Sequence, residues 1–224
     1  MQNATDIIAI DGPAGAGKST IAREVARALG YAYLDTGAMY RGATWWAIAQ
    51  NVDLDDADAL ARAARAMRLE LRDSPHGTQV FVGGQDITAA IRTPEITRCI
   101  AKLDHNPEVR AHLVELQRQI GAKRPTVCEG RDIGTVVFPK AKCKIYLNAS
   151  LEERTRRRAR EFDQKGIAYD PEALREEIRI RDEKDATRNV APLRKADDAV
   201  EVDTTGMTPR EVVETIVRIA KEKW

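Results

Sequence analysis

The sequence predicts an α/β protein in which parallel strands are connected by helices through right-handed crossovers. Short apolar runs alternate with amphipathic helical patterns along most of the 224 residues. A glycine-rich turn separates the first apolar run from the first helix. Hydrophobic residues make up 43% of the chain and the mean hydropathy is −0.45, which is typical of a globular protein with a sizeable core. The length fits one large domain, or one domain with insertions.

The elements of this alternation follow from apolar periodicity and from stop signals. Residues 7–10 form the first predicted strand, and a helix over Lys18–Leu29 places Ile21 and Val25 on one face and stops at Gly30. Further strands are predicted at 33–34, 126–129, 143–147 and 199–202, with a helix from 38 to about 50. Thr208 and Glu211 form a capping box that starts the last helix, with proline at its first position.

Residues 68–92 depart from this pattern. Leu69 and Leu71, and then Val80 and Val82, alternate with polar residues, and turn residues lie between and after the two runs. This spacing predicts a small antiparallel element inserted into the α/β core. A helix over Pro107–Gly121 is predicted to follow, with its buried stripe at Val109, Leu113, Leu116 and Ile120.

Residues 150–188 form a second unusual region. They carry as many acidic as basic side chains, yet the pattern is helical on both sides of a break at Gly166. We therefore expect a charged helical hairpin that exposes most of its surface. One face of the second helix changes from apolar to charged along its length. It carries Leu174, Ile178, Arg181, Asp185 and Arg188.

Composition excludes or disfavours several classes of protein. The net charge of +1 argues against a dedicated nucleic-acid binder. The three cysteines are far apart, and the three histidines (His76, His105 and His112) lack ligand spacing, so we expect neither a disulfide scaffold nor a structural zinc site. The first residues lack a secretory leader pattern and no apolar run reaches membrane-spanning length. We expect a cytoplasmic protein that binds neither membrane nor nucleic acid.

The glycine-rich turn carries the most specific motif, GPAGAGKST at 12–20, which matches G-x-x-x-x-G-K-[ST] between a strand and a helix. In this motif the backbone N–H groups surround phosphate oxygens, Lys18 reaches the β- and γ-phosphates, and Ser19 ligates Mg²⁺. The alternative, a purely structural turn, is weak. The predicted ATP-binding residues are Gly12, Pro13, Ala14, Gly15, Ala16, Gly17, Lys18, Ser19 and Thr20.

Two further motifs lie where phosphate can bind. DTGAMYR at 35–41 combines a helix start with Arg41, which is a second potential anion site, although a normal helix cap with a surface arginine remains the alternative. EGRDIGTVVFP at 129–139 begins where a buried strand ends and supplies Glu129, Arg131 and Asp132 to that edge. An acidic side chain there can position Mg²⁺ through water and Arg131 can hold a phosphate. The alternative is a surface turn with a local Arg–Asp pair.

The charged hairpin offers weaker signals. Arg154 and Arg158, one helical turn apart, can neutralise phosphates that would otherwise repel each other, while a solvated helix face explains them equally well. The charged face of the second helix fits a wet cleft. An exposed helix with pairs such as Arg181–Asp185 is the alternative.

Together, IDGPAGAGKST, LDTGAMYR, EGRDIGTVVFP, the ERTRRRAR helix and RDEKDATRNVAPL resemble the bacterial cytidylate kinase, or (d)CMP kinase, family over essentially the whole chain. The resemblance implies a P-loop nucleoside monophosphate kinase fold: a parallel five-stranded core sheet flanked by helices, an NMP-binding insert and a mobile lid. It maps the core to 1–62, 103–153 and 167–224, the insert to 63–102 and the lid to 154–166, which carries Arg154 and Arg158.

The resemblance also implies the roles of individual residues. Catalytic roles fall to Lys18, Arg131, Asp132 and Arg188. The acceptor phosphate is held by Thr36, Tyr40, Arg41, Arg131 and Arg188; the pentose is contacted by Arg181 and Asp185, and cytosine by Arg110 and Asp132. The family commonly has serine at the positions of Thr36 and Ala101. The first change keeps the hydroxyl, whereas the second removes one contact to the base.

The expected reaction is therefore ATP-dependent phosphorylation of CMP and dCMP to CDP and dCDP with Mg²⁺, in pyrimidine nucleotide metabolism, by a monomer. Rival hypotheses are a P-loop kinase for UMP, dTMP or a hydroxy acid, a switch or motor NTPase that hydrolyses ATP without an acceptor, and an ATP-dependent nucleic-acid-binding module. The net charge and the lack of a basic aromatic patch disfavour the last of these.

Overall fold

The computed structural model describes residues 6–74 and 77–224. These residues form two compact units. The first comprises the described residues up to Tyr31 together with Thr126–Trp224, and the second comprises Ala32–Pro125. The predicted insert at 63–102 belongs to the second unit and the predicted lid at 154–166 to the first, and both stay predictions as separate parts of the molecule. His76 lies outside the described residues.

Strands and helices alternate as the sequence predicts. The strands are β1 (Ile7–Asp11), β2 (Ala32–Asp35), β3 (Leu69–Ser74), β4 (Gly77–Val82), β5 (Gln85–Asp86), β6 (Thr126–Gly130), β7 (Cys143–Asn148) and β8 (Val200–Asp203). The helices are α1 (Lys18–Leu29), α2 (Thr36–Ala49), α3 (Ala57–Ala66), α4 (Pro94–Asp104), α5 (Pro107–Gly121), α6 (Leu151–Lys165), α7 (Pro171–Thr187) and α8 (Pro209–Lys223).

The larger sheet confirms the predicted five-stranded core. Its strand order is β2-β6-β1-β7-β8, and β1 pairs in parallel with both β6 and β7. Every residue of β1 is buried, as expected for a central strand with both faces covered. The register sets Asp11 opposite Gly130, so the ends of β1 and β6 deliver the Gly-rich loop and the 129–139 segment to the same sheet edge.

The helices of the first unit form where the pattern predicts them. Helix α1 has the predicted bounds, buries Ile21 and Val25, and ends at Gly30 in a left-handed conformation with φ 69°. Helix α8 begins with the predicted reciprocal capping box between Thr208 and Glu211. The charged region forms α6 and α7, with the break at Gly166.

The second unit contains the predicted antiparallel insertion. Strands β3, β4 and β5 form a three-stranded sheet in which Leu71 lies opposite Val80, and the alternating face of β4 buries Val80 and Val82. These valines join a core with residues from α2, α3, α4 and α5. Helices α3 and α4 are not among the predicted elements. Within the described ranges, no helix is both long and apolar enough to cross a membrane.

Candidate active site

Glycine determines the path of the loop between β1 and α1. Gly12 has φ 152°, and a Cβ atom there would lie 2.0 Å from the carbonyl oxygen of Leu147 in β7. Gly17, which caps α1, has φ 89° in the left-handed region. The loop therefore passes so close to the neighbouring strand that no side chain fits at its first residue, as the phosphate-binding motif predicts.

The two polar residues that open α1 point to buried partners. Lys18 is only 6% exposed, and its Nζ donates to the carbonyl oxygen of Pro13 at 2.7 Å. Burial, reinforced by the positive charge of Arg131, lowers the pKa of Lys18 to about 7. Ser19 Oγ donates to Glu129 Oε1 at 2.5 Å. The hydroxyl at the helix start and the carboxylate at the end of β6 thus form one oxygen-rich position.

Asp11, which the sequence analysis did not single out, holds the segment that follows β6. Its two carboxylate oxygens accept the backbone N–H groups of Ile133 and Gly134, each at 2.7 Å. Burial raises the pKa of Asp11 to about 6 although these two hydrogen bonds act in the opposite direction. Ile133 begins a π-helical turn over Ile133–Val137, a conformation often found beside functional sites.

Buried ion pairs connect this segment to α7. Arg131 Nε donates to Asp185 Oδ2 at 2.7 Å, and Arg131, together with Arg181 and Arg188, holds the pKa of Asp185 below its usual range despite burial. Arg188, at the end of α7, lies 3.8 Å from Asp132 and donates to the carbonyl oxygen of Ala191 at 2.7 Å. The structure therefore contradicts a surface turn with a local Arg131–Asp132 pair.

The charges around Lys18 are of both signs. The charges of Arg131 and Arg181 both act on Lys18, where each favours the neutral amine. Asp185 and Glu129 act in the opposite direction and favour the ammonium form of Lys18. The arrangement is suited to a ligand that carries several negative charges.

The arginines of α6 divide into two groups. Arg154 is 7% exposed and Arg157 is partly buried, and both donate to backbone carbonyls of the glycine-rich loop, at Ala14 and Ala16 respectively. Arg158 instead pairs with Glu161, and its guanidinium carbon lies 4.9 Å from the ring centroid of Phe162. Of the two arginines predicted for the lid, one thus packs on the loop and the other lies on the outer part of the helix.

The second unit positions the remaining predicted residues at the start of α2. Asp35 caps the helix and accepts the N–H of Ala38 at 2.8 Å, and Thr36 and Tyr40 are buried within its first turns. A Cβ on Gly37 would lie 3.2 Å from an Nη atom of Arg41, so the arginine folds back over the helix start. This end of α2 thus combines helix N–H groups with a cation, which is suited to an anion.

Arg110 belongs to the same unit and contacts one of these residues. It is 3% exposed, its guanidinium carbon lies 5.3 Å from the ring centroid of Tyr40, and it donates to the carbonyl oxygen of Asp104 at 3.1 Å. Ala101 lies one turn before Asp104 on α4 and is half-buried. The structure thus brings Tyr40 and Arg110 together.

The oxygen-rich position of Ser19 and Glu129 fits a small, hard divalent cation, because hydroxyl and carboxylate oxygens are the donors that Mg²⁺ prefers. Such a cation normally keeps several waters and the substrate's phosphate oxygens as its other ligands. In the part of the chain that the structure describes, no group of three or more His, Cys, Asp or Glu side chains forms a metal cluster.

Sequence reasoning missed Asp11, Arg157 and Asp182. Asp11 carried a usable signal, since a carboxylate that ends a fully apolar strand needs a specific partner. Asp182 accepts the N–H of Ala14, which lies 168 residues away in the chain, and no local pattern indicates such a contact. Arg157 lies beside Arg158, so only the rotation of α6 decides which of the two faces the loop.

The chain is similar to known proteins over most of its length. The family model described as cytidylate kinase matches residues 8–222. The cytidylate kinases of Shouchella clausii and Geobacillus kaustophilus are both 49% identical to this chain, and each match covers 96% of both proteins. A solved structure of an uncharacterized protein from Eubacterium ventriosum has the same fold, with a TM-score of 0.53 at 12% identity over 96% of this chain and 98% of that one. The chain therefore belongs to the cytidylate kinase family.

Proposed function

We propose that this protein transfers the γ-phosphoryl group of ATP to CMP and dCMP, giving CDP and dCDP. The observation that carries this proposal is that the ends of β1 and β6 bring a phosphate-binding loop with the buried Lys18, and a segment with Arg131 fixed by Asp185, to one sheet edge. A hydrolase needs to compensate the charge of one nucleotide, whereas a kinase brings a triphosphate and a monophosphate together. The second anion therefore accounts for the additional arginines.

The donor is bound by the loop at 12–20. Its backbone N–H groups and the start of α1 receive the phosphates, and their negative charge favours the ammonium form of Lys18. Ser19 and Glu129, whose side chains are hydrogen-bonded to each other, would hold Mg²⁺. When bound, the metal ion neutralises charge on the β- and γ-phosphates.

The acceptor phosphate is bound by arginines. Arg131 and Arg188 of the first unit, already held by Asp185 and Asp132, supply preorganised donors with little loss of side-chain entropy. The family resemblance assigns the remaining phosphate contacts to Thr36, Tyr40 and Arg41. Catalysis then consists of alignment and charge neutralisation, since phosphoryl transfer leaves little covalent work for the protein.

The rest of the acceptor is recognised by polar side chains on buried supports. Arg110 and Asp132 contact cytosine, with Asp132 accepting from the amino group that uracil lacks. Arg181 and Asp185 contact the pentose. The region 154–166, with Arg158, acts as a lid that closes over the phosphates and excludes water, because an open site would hydrolyse ATP. The protein works as a cytoplasmic monomer and needs neither membrane nor nucleic acid.

An acceptor screen tests the proposal. ADP release is measured with CMP, dCMP, UMP, dTMP and a hydroxy acid, and without any acceptor. We expect turnover with CMP and dCMP to exceed that with every other acceptor, and the reaction without acceptor to be slow. Preferential use of UMP would overturn the cytidylate assignment and leave a kinase, whereas fast hydrolysis without acceptor would indicate a switch or motor NTPase.

Asp185 has a proposed contact with the pentose and an observed hydrogen bond from Arg131, and a variant can distinguish which of the two matters for activity. For Asp185→Ala we expect kcat/KM to fall by different factors for CMP and dCMP, each by at least about tenfold, since a lost hydrogen bond to a charged group costs roughly 1.5–3 kcal/mol. Equal losses would mean that Asp185 only positions Arg131.

A further inference from the structure

Both polar groups of the Ala14 peptide backbone, in the middle of the glycine-rich loop, are bound by side chains from the charged helices. The N–H of Ala14 donates to Asp182 Oδ1 at 3.1 Å, and its carbonyl oxygen accepts from Arg154 Nη1 at 3.1 Å. The same Arg154 nitrogen also forms an ion pair with Asp182 Oδ2. One residue of the loop is therefore enclosed by a salt bridge between α6 and α7.

Arg154 is held by three partners through its Nε and Nη1 atoms. Its Nε donates to the carbonyl oxygen of Ala149 at 3.0 Å, in addition to the bonds to Ala14 and Asp182. A Cβ on Gly15 would lie 3.1 Å from Cβ of Arg154, so glycine at position 15 lets α6 pack directly on the loop. A buried arginine with this many fixed partners has one conformation, and so does the backbone it contacts.

Arg157 attaches the loop at a second point. Its Nη1 donates to the carbonyl oxygen of Ala16 at 3.2 Å and to Oγ1 of Thr204 at 3.0 Å, and its Nη2 donates to the carbonyl oxygen of Thr204 at 2.8 Å. Glu153 holds the same guanidinium through Nε at 2.8 Å. None of these bonds uses the N–H groups of residues 15–19, which the phosphates need.

We propose that Asp182 and Arg154, with Arg157, are positioning residues that fix the glycine-rich loop in its phosphate-binding conformation. This inference rests on the proposed kinase function and extends it. It assigns Arg154 to the loop, and it assigns a role to Asp182, which lies next to Arg181 on α7. Since Asp185 on the same helix pairs with Arg131, α7 holds the donor loop at one position and an acceptor-side arginine three residues later.

The loss of Asp182 is expected to weaken binding of the donor nucleotide in particular. Without Asp182 the N–H of Ala14 and the guanidinium of Arg154 lose their shared acceptor, and the loop samples conformations that do not bind phosphates. The apparent affinity for the donor nucleotide is then the intrinsic affinity multiplied by the fraction of molecules whose loop is in the phosphate-binding conformation. Asp182 acts on the acceptor-side Arg131 through its charge, but Arg131 keeps its hydrogen bond to Asp185 when Asp182 is replaced, so CMP binding is expected to change much less.

The test compares Asp182→Asn with Glu183→Gln. Both changes replace one carboxylate by an amide on α7, but the Glu183 side chain is 61% exposed and pairs with Arg179 on the surface. Dissociation constants for Mg·ADP and for CMP are measured separately by calorimetry, followed by KM and kcat. For Asp182→Asn we expect the Mg·ADP constant to rise about 10–100-fold and the CMP constant to change less than about threefold. Glu183→Gln should match the wild type.

Arg154→Lys provides the second variant, because lysine keeps the charge but cannot donate to three separated acceptors. We expect the same donor-specific loss. Unchanged Mg·ADP affinity in both variants, or equal weakening of Mg·ADP and CMP, would overturn the proposal. If Asp182→Asn does not fold, Arg154→Lys decides by the same criteria. Binding of Mg·ADP needs no acceptor, so a wild type that fails to phosphorylate CMP would refute the proposed function and leave this comparison valid.

Discussion

Replacing Asp11 with asparagine tests how the end of β1 holds the segment that carries Arg131. The Asp11 side chain accepts two backbone N–H groups, from Ile133 and Gly134, at 2.7 Å each. Asparagine has the same size but only one acceptor oxygen, so its NH₂ group meets one of these N–H donors. A buried donor without an acceptor costs about 1–3 kcal/mol. At low pH we therefore expect Asp11→Asn to be less stable than the wild type by about that amount.

The pH dependence has a definite sign. Burial raises the pKa of Asp11 from its ordinary value of 3.8 to about 6, with Asp132 adding to the rise and Lys18 opposing it. Because the pKa is higher in the folded state, the contribution of this proton to stability is complete below about pH 4 and is lost as the pH rises through about 6. A pKa difference of about 2 corresponds to about 3 kcal/mol. Asparagine does not titrate, so the wild type loses about 3 kcal/mol of stability relative to Asp11→Asn as the pH rises from 4 to 8, and at pH 8 the variant is expected to be at least as stable as the wild type.

Urea unfolding of both proteins at several pH values measures this difference, and charges common to both cancel. Asp58→Asn, on the exposed start of α3, serves as the control for the loss of a surface carboxylate. A wild type that gains stability relative to Asp11→Asn as the pH rises would refute the reasoning. It would mean that the two N–H bonds favour the carboxylate more than burial disfavours it.

Three further changes test other parts of the site. Lys18→Ala should lower turnover by several orders of magnitude at an unchanged melting temperature, and near-normal turnover would contradict the phosphate-binding role. Gly12→Ala should abolish ATP binding and destabilise the fold, because its Cβ would lie 2.0 Å from the carbonyl oxygen of Leu147, whereas Gly30→Ala, which meets nothing within 4 Å, should cost only about 1–2 kcal/mol in unfolding experiments. Ala101→Ser should lower KM for CMP about 2–12-fold through one neutral hydrogen bond and leave the preference over UMP intact; an unchanged KM would mean that residue 101 does not face the base.

Elements with strong periodicity and clear ends were predictable from the sequence. Helices α1 and α5 have the predicted bounds because a glycine stop and an Asn-Pro start define them. The antiparallel strands followed from period-two alternation. Helix α3 was not predicted because its buried face is built largely from alanine, with Leu60 as the one large apolar residue among those buried. Alanine contributes helix propensity but little amphipathic contrast.

The candidate site was predictable as a set of motifs but not as a set of contacts. Lys18 and Ser19 follow from local spacing, since one loop contains all the groups that the motif needs. The partner of Arg131 does not, because Asp185 lies 54 residues away and Asp132 is its immediate neighbour. Only the tertiary arrangement of α7 and β6 decides between these two carboxylates.

The ion pairs of this protein fall into two classes, exposed pairs within one helix and buried pairs between different elements. Exposed pairs such as Arg179–Glu176 lie three residues apart on one helix and contribute at most about 1 kcal/mol each. Arg131–Asp185 and Arg154–Asp182 instead join different elements and are largely removed from water. Removing such charges from water offsets much of their attraction, and well-packed apolar residues would stabilise the fold equally well. Stability therefore does not explain why these positions are ionic. Phosphoryl transfer explains the ionic positions better, because it needs cations and a loop that are already in place. Charged groups with fixed partners can bind a phosphate without first reorganising.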